Sequence, residues 1–580
     1  MIIHPAFLLV FTAAVAATIR RSSVRSVILL VGAVTSLVSC VGLTPGVALS
    51  FVFAAHRVDL LRVDPLSQVF GLIFTLITAI GFVYALHIRS RGEQVATALY
   101  AAGALGVVFA GDWITLFVSW EFMSLTSLIV IWSSDRERAR AAGFRYLLVH
   151  IAGGSLLFVG LMLLSSSGSG LETVGLLEPD IGPAFWLILA GICINAAIPP
   201  VHAWLTDAYP EASVTGMVFL SAFTTKTAVY VLIRVFPGTE VLVWLGATAA
   251  VYGAFYAVLE NDIRRLLAYH IVSQVGFMVA GVGMGSALAL NGAAAHAFSH
   301  VLYKALLIMS LGAVIQMTGK RKLTELGGVG RSMPIVIGLF FVGAFAISGV
   351  PLLNGFISKS MIVTAATELK LFTPELLLTL AAVGTILHTC LKLPYFTFFG
   401  PDCGVRCRPL PRNMLVAMTI AAACCIALGL QPEWLYSWLP LQPVMYSPYT
   451  SDHVLSSVQL VLGTGVGFCL LFVKLGRTPT ITLDTDQLWR RPVWRAVNRL
   501  TRGLDLVRGS AQAVGFRVRK TVLPFAGNPL LLLAPTGFTP TGFDRERYDA
   551  DRYRLPIAVT VFWVTAALVA LILFAWVTVL

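Results

Sequence analysis

Charge is what this sequence has least of. Asp, Glu, Lys and Arg together make up 12% of 580 residues, against 57% for the apolar types, and the mean hydropathy is +0.85. A soluble domain needs a charged surface, so this shortage excludes the water-soluble globular classes and leaves a chain whose main solvent is lipid. Acidic residues are scarcer than basic ones, 28 against 41, for a formal net charge of +13. The basic residues flank apolar stretches instead of lining a polar face, which points to membrane topology and away from nucleic acid as a partner. Cysteines number only 8. Cys40, Cys193, Cys424, Cys425 and Cys469 lie within apolar stretches, where cysteine packs as a small hydrophobe. Cys403 and Cys407 share one loop, but a lone pair without further ligands makes neither a zinc nor an iron–sulfur site. No Rossmann glycine fingerprint or P-loop is visible, so no cofactor and no metal are expected, and redox or nucleotide chemistry would have to come from partners. The first apolar stretch, Ala6 to Ile19, lacks an A-x-A-like cleavage site before Arg20-Arg21 and reads as a retained helix.

Apolar stretches fill the space that charge leaves. Runs of about 17 residues or more recur from Pro5 to Leu475, and one more spans Leu555 to Leu580, for roughly 14 to 17 membrane spans. Basic clusters fall at Arg20/Arg21/Arg25, Arg89/Arg91, Arg136/Arg138/Arg140, Arg264/Arg265 and Lys320/Arg321/Lys322, each after an odd-numbered span. Positive charge collects on the cytoplasmic side, so the amino terminus is expected outside and the protein in the cell's inner (plasma) membrane as a multi-pass subunit.

Within the spans, ionisable residues stand where they are costly. Glu121 lies in the middle of Trp113 to Trp132, where a carboxylate costs about 2.5 kcal/mol or more unless it faces protein or water. Ion or proton handling is one reading; a neutral carboxyl tied to a neighbouring helix is the other. His150, Lys226 and His270 each occupy a span of their own, and His388 and Lys392 share another. His296, His300 and Lys304 recur at i, i+4 and i+8, which places them on one helical face at steps of about 6 Å. Such a ladder suits proton transfer, because imidazole titrates near neutrality and lysine responds strongly to its surroundings. Haem fits poorly, since two histidines on one helix cannot supply ligands from facing helices, and the pair lacks a third ligand for zinc. Pro199-Pro200 and Pro394 interrupt apolar runs; they are expected to free the carbonyls of Asn195 and Cys390. Discontinuous helices of this kind serve transporters, although a simple kink is the plainer alternative.

The blocks Gly111 to Glu121, Pro199-Pro-Val-His-Ala-Trp-Leu-Thr-Asp-Ala-Tyr-Pro-Glu211, Asp262 to Gln274 and His296 to Lys304 carry a resemblance. They resemble the antiporter-like proton-translocating membrane subunits, a superfamily of large Mrp-type antiporter subunits, membrane-arm pumps of respiratory complex I and membrane hydrogenase relatives. The resemblance covers roughly Asp59 to Gly400 and is strongest to the D subunit of Mrp-type sodium/proton antiporters. It implies an all-α polytopic fold of about 14 core helices, with two inverted repeats that each contain a broken helix. It also implies that Glu121 is the membrane glutamate, Lys226 the lysine after the first break, His296/His300/Lys304 the central relay and Lys392 the lysine at the second break. His150, Asn195, His270 and His388 are candidates for additional relay positions. Two positions depart from the family pattern. Asn195 stands where relatives have the lysine that partners the glutamate, so Lys226 or water must offset Glu121, or the carboxyl is mostly protonated. Pro351-Leu-Leu-Asn354-Gly-Phe-Ile-Ser-Lys359 replaces a segment that more often shows a double proline and serine.

Five regions are expected: N-terminal spans at 1–110, the antiporter-like core at 111–400, further core helices at 401–475, a lateral segment and linker at 476–553, and a terminal span at 554–580. In the lateral segment Val493, Val497, Leu500, Leu504, Val507, Ala511, Val514 and Val518 recur at steps of three and four. Arg490, Arg491, Arg495, Arg499, Arg502 and Arg508 occupy other faces, as in a basic amphipathic helix on the cytoplasmic membrane surface. Pro524 to Gly542 then leads to the last span. The resemblance implies a transporter subunit whose partners are other subunits of a membrane assembly, lipids, protons and Na+ or K+. A pump subunit of a complex I-like NADH:quinone oxidoreductase or membrane hydrogenase is the alternative within the superfamily. A structural subunit without transport is the alternative outside it.

Overall fold

A backbone in lipid must satisfy its own polar groups, and helices do so wherever the apolar runs are long enough. The computed structural model describes residues 4–53, 56–167 and 170–472, Asp484, and scattered helical positions between 487 and 519 and between 561 and 567. Among the described residues, 12 helices are long and apolar enough to cross a membrane, and three shorter apolar helices accompany them. The protein is therefore a multi-pass, predominantly helical membrane protein.

Helices α1 (Pro5–Thr18) and α2 (Ser22–Val41) come first, and a hairpin of β1 (Gly46–Phe53) and β2 (His56–Val63) follows. This antiparallel pair is the one sheet among the described residues. It is fixed to the core by Asp112, which caps the helix that begins at Trp113 by accepting the Thr115 amide and also accepts the Asp59 amide at 2.7 Å. The Gly111-Asp112 part of the sequence block thus has a structural role. Next come α3 (Pro65–Tyr84), α4 (Arg91–Phe109), α5 (Trp113–Trp132) and α6 (Glu137–Ser166).

The first interruption falls where the prolines place it. Helix α7 (Pro183–Asn195) stops at Asn195, residues 196–202 form a turn-rich link, and a short helix α8 (Ala203–Ala208) resumes. The freed end is partly satisfied by the Trp204 indole, which donates to the Ile194 carbonyl at 2.9 Å. A second discontinuity at Phe223 divides one buried span into α9 (Val214–Ala222) and α10 (Thr224–Val235). Beyond α11 (Glu240–Leu259), α12 (Ile263–Met284) and the long α13 (Ala287–Thr318) lie α14 (Pro334–Ser348), α15 (Asn354–Glu368) and α16 (Phe372–Ile386). Near Pro394 the chain does not unwind. It continues as π-helical turns over Leu387–Lys392 and Tyr395–Phe399, so the missing proline donor is absorbed by a wider helix. The core closes with α17 (Arg412–Leu430), α18 (Glu433–Tyr436) and α19 (Ser451–Leu471).

Helices α11 and α12 approach most closely through glycine. A Cβ at Gly276 would lie 2.5 Å from the Ala250 amide nitrogen, and one at Gly246 would overlap the α12 backbone at Ala280. Small residues permit such close crossings in membranes, where packing replaces the hydrophobic drive between helices. Gly276→Val is expected to force the pair apart at a cost of about 3 kcal/mol, the upper end of ordinary overpacking, because the obstacle is backbone. The yield of assembled complex on native gels checks this; a wild-type yield would show that the crossing relaxes freely.

The chain divides into two compact units, Met1–Asp486 and Gln487–Leu580. The division falls inside the region expected at 476–553. In the second unit the described positions are helical, and Val514, Phe516 and Val518 are exposed. Arg490, Arg491, Val493, Val497, Leu500, Leu504, Val507, the stretch from Pro524 to Gly542 and most of the terminal span lie outside the described residues.

Candidate functional site

Glu121 projects from α5 toward α6, where Gly154 makes room for it: a Cβ at Gly154 would overlap its carboxylate. Oxygen Oε1 is buried without a hydrogen-bond partner. One residue along, Gly153 meets Asn195, whose Oδ1 lies 3.5 Å from where a Cβ would stand. Glu121 and Asn195 therefore pack against consecutive glycines of α6, and both polar atoms of the Asn195 amide lack partners. His150, on the same helix, lies against Tyr146 with 4.0 Å between the tilted ring centroids and meets Trp204 edge-on at 4.7 Å. Neither of its ring nitrogens has a partner.

Lys226 does not pair directly with Glu121. Its Nζ donates to the Ser221 carbonyl at 2.7 Å, on the turn that precedes the discontinuity at Phe223, and to Thr225 Oγ1 at 3.1 Å. Among the described residues no carboxylate lies within ion-pair distance of Lys226 or Lys304, and no cation within that distance of Glu121. This corrects the expectation that Lys226 offsets the glutamate by contact; water or protonation is left to do so.

The ladder on α13 is formed as its spacing requires, and its members differ. His296 is held, with Nδ1 at 3.1 Å from Ser358 Oγ and Nε2 at 3.3 Å from Gln274 Oε1. His300 has no partner at either nitrogen; Lys304 Nζ has none. His296 and His300 are 6.4 Å apart by ring centroid. Lys226 lies within electrostatic reach of both His300 and Lys304. From Lys304 the row continues to His270 and His388, whose rings meet edge-on at 3.9 Å. His388 Nδ1 donates to the Thr385 carbonyl at 2.9 Å, which leaves Nε2 as the acceptor. His388 is within electrostatic reach of Lys392, whose Nζ donates to the Val258 carbonyl at the end of α11 and lies near Glu260. Of the ten sequence-derived positions, the structure thus brings Lys226, His300, Lys304, His270, His388 and Lys392 into one row. His296 joins it through His300 and Lys226, and is the member held by hydrogen bonds on both ring nitrogens. Glu121, Asn195 and His150 form a separate group around α6 and α7.

Sequence reasoning passed over Lys359. It is buried in α15, donates to the Ile347 carbonyl at 2.7 Å and lies 4.9 Å over the Phe277 ring. It also lines a cavity of about 470 Å³ together with His453 and several hydroxyl side chains. The signal that found Lys226, an isolated lysine in an apolar run, applies here too. On another face Arg136, Arg138, Arg321 and Lys322 line one cavity of about 370 Å³ with Glu211 and Asp262, so two of the basic clusters share a side as the topology requires. Among the described residues no group of three or more His, Cys, Asp or Glu is arranged to hold a metal ion.

Residues 110–387 match the family model for the transmembrane region of NADH:quinone oxidoreductase and Mrp antiporters. The chain is 32% identical over 408 residues to the A/B-type subunit of a probable K(+)/H(+) antiporter from Rhizobium meliloti, covering 64% of this chain and 40% of that one, less than half its length. It is 30% identical over 416 residues to the N subunit of the NADH-quinone oxidoreductase from Desulforudis audaxviator, covering 65% of this chain and 83% of that one. In fold it is similar to a chain of the membrane-bound sulfane sulfur reductase, an archaeal respiratory membrane complex, with a TM-score of 0.74 at 21% identity, covering 90% of this chain and 99% of that chain.

Proposed function

Because the chain belongs to the family of transmembrane subunits shared by NADH:quinone oxidoreductases and Mrp antiporters, we propose that it is a D-like proton-translocating subunit of a multisubunit monovalent cation/proton antiporter in the plasma membrane. One observation carries the reading. Lys226 and Lys304 are buried, lie within reach of one another and of His300, and have no carboxylate at ion-pair distance among the described residues. Buried like charges in low dielectric interact strongly, so charging one makes charging the next harder. A proton arriving at one end therefore displaces one further along, through His270 and His388 to Lys392 and Glu260, and the groups titrate as a coupled set. Glu121, outside this row, sets the field at the first break. The basic segment from Asp486 to Lys520 serves as a docking strut to partner subunits or anionic lipid.

The relative named for K(+)/H(+) antiport favours the antiporter reading. The NADH-quinone oxidoreductase relative, most of whose length is matched, favours the second reading, a pump subunit of a redox-driven complex. Everted membrane vesicles containing the native complex separate the two. Adding Na+ or K+ to energised vesicles is expected to dissipate the pH gradient, read as recovery of a quenched acridine dye. Proton uptake that depends on quinone reduction and ignores both cations would support the redox-driven reading instead.

A further inference from the structure

The chain beyond α19 places one buried carboxylate against the first broken helix. The Asp484 side chain is 4% exposed and accepts bonds from three separate elements. His202 Nε2, in the link between α7 and α8, is 3.0 Å from Oδ2; the Tyr269 hydroxyl of α12 donates to the same oxygen at 2.6 Å; the Tyr252 hydroxyl of α11 donates to Oδ1. Burial alone would push this carboxyl up, but the bonds from His202, Tyr252 and Tyr269 outweigh it and hold it well below the usual carboxylate range. An ionised carboxylate only accepts, so Nε2 of His202 must carry the hydrogen. In the neutral ring Nδ1 is then the bare acceptor, and that atom is buried without a partner. His202 itself belongs to the Pro199 to Glu211 block that interrupts the helix.

We propose that Asp484 is a positioning residue for the first broken helix: its carboxylate fixes the tautomer and orientation of His202, so that Nδ1 is presented as a proton acceptor at the link between α7 and α8. The proposal rests on the proton-translocation reading above. It gives the C-terminal part of the chain a direct hold on the conduction machinery, separate from any role as a strut. The arrangement resembles in logic any carboxylate that orients an imidazole by accepting its N–H. Three donors converging on one buried carboxylate also offset the cost of burying its charge.

The test uses the full complex in vesicles with wild type, Asp484→Asn, Asp484→Glu, His202→Asn and the double variant Asp484→Asn/His202→Asn. Asp484→Asn keeps the shape but loses the charge, and its amide nitrogen donates where one carboxylate oxygen accepted. We expect it to assemble and lose proton flux at least tenfold, with Asp484→Glu recovering a substantial part. The double variant is expected to be no worse than either single one, because both act through the same ring. Wild-type flux in Asp484→Asn, no recovery in Asp484→Glu, or additive losses in the double variant would each overturn the proposal. Hydrogen–deuterium exchange over residues 196–208 gives a readout independent of transport: faster exchange in Asp484→Asn than in wild type is expected, and unchanged exchange counts against the proposal. If the wild-type complex itself moves no protons, the functional reading fails, and the exchange experiment alone decides whether Asp484 positions the link. Should Asp484→Asn fail to assemble, the flux of His202→Asn decides, with wild-type flux overturning the proposal.

Discussion

Lys304→Arg should assemble with its partners and lose transport by about 100-fold, the lower range of what a positioned proton-transfer group contributes. The substitution keeps a positive charge in the same place. What it removes is the ability to let the proton go, because guanidinium holds its proton up to a pH above about 12. Lys304 is the position where this distinction is sharpest. It is fully buried, has no hydrogen-bond partner, and lies within electrostatic reach of Lys226, His270 and His388. A fixed charge there would hold its neighbours in one state, whereas a transferable one lets them alternate. Native gels report assembly, and proton flux in everted vesicles reports transport. Arginine is bulkier than lysine, so Lys304→Met serves as the companion variant: it removes charge without adding volume and should also fail to transport. Wild-type flux in an assembled Lys304→Arg complex would show that the position supplies only static charge, and the row would have to run around it.

Much of this site was legible because membrane spans make ionisable residues conspicuous. His296, His300 and Lys304 could be placed on one face from spacing alone, since a single long helix, α13, carries them all. The first break was legible for a similarly local reason, as two consecutive prolines end a helix whatever surrounds them. What sequence could not supply was contact between distant elements. The pairing of His270 with His388 joins α12 to the π-helical turns after α16, and the hold of Asp484 on His202 joins residues 282 positions apart. The second interruption was misjudged in form: a proline predicts that a hydrogen bond is lost, but not whether the helix unwinds or widens to a π-turn. The hairpin of β1 and β2 was not legible because β1 is apolar enough to read as part of the neighbouring span, while β2, with His56, Arg57, Asp59 and Arg62, reads as a polar loop. Lys226 is one of three ways to offset Glu121 that the sequence leaves open once Asn195 removes the usual partner. Geometry removes direct contact from the three, because a backbone carbonyl beside a helix discontinuity, that of Ser221, takes the lysine instead.

Glu121→Gln should likewise assemble and lose transport by tenfold or more, and the reason lies in what surrounds the carboxylate. Its Oε1 has no hydrogen-bond partner and its helix neighbour Gly154 fits closely around it, so the amide occupies the same space without a clash that would explain a folding defect. The substitution therefore isolates charge and protonation from shape. Asn195 supplies the complementary experiment. It packs against Gly153, next to the glycine that Glu121 occupies, so Asn195→Lys would place an ammonium on the same side of α6 as the carboxylate. A close opposite charge holds a carboxylate ionised, and a carboxylate pinned in one state changes the field at the first break less readily. Asn195→Lys is expected to slow flux several-fold while leaving it measurable, and to lose that effect entirely when combined with Glu121→Gln, because the lysine then has nothing to pin. Flux measured for the two single variants and the double variant in the same vesicles decides the matter. If Glu121→Gln transports at the wild-type rate, Glu121 is a structural carboxyl that sets no field at the first break, and the row from Lys226 onward works without it.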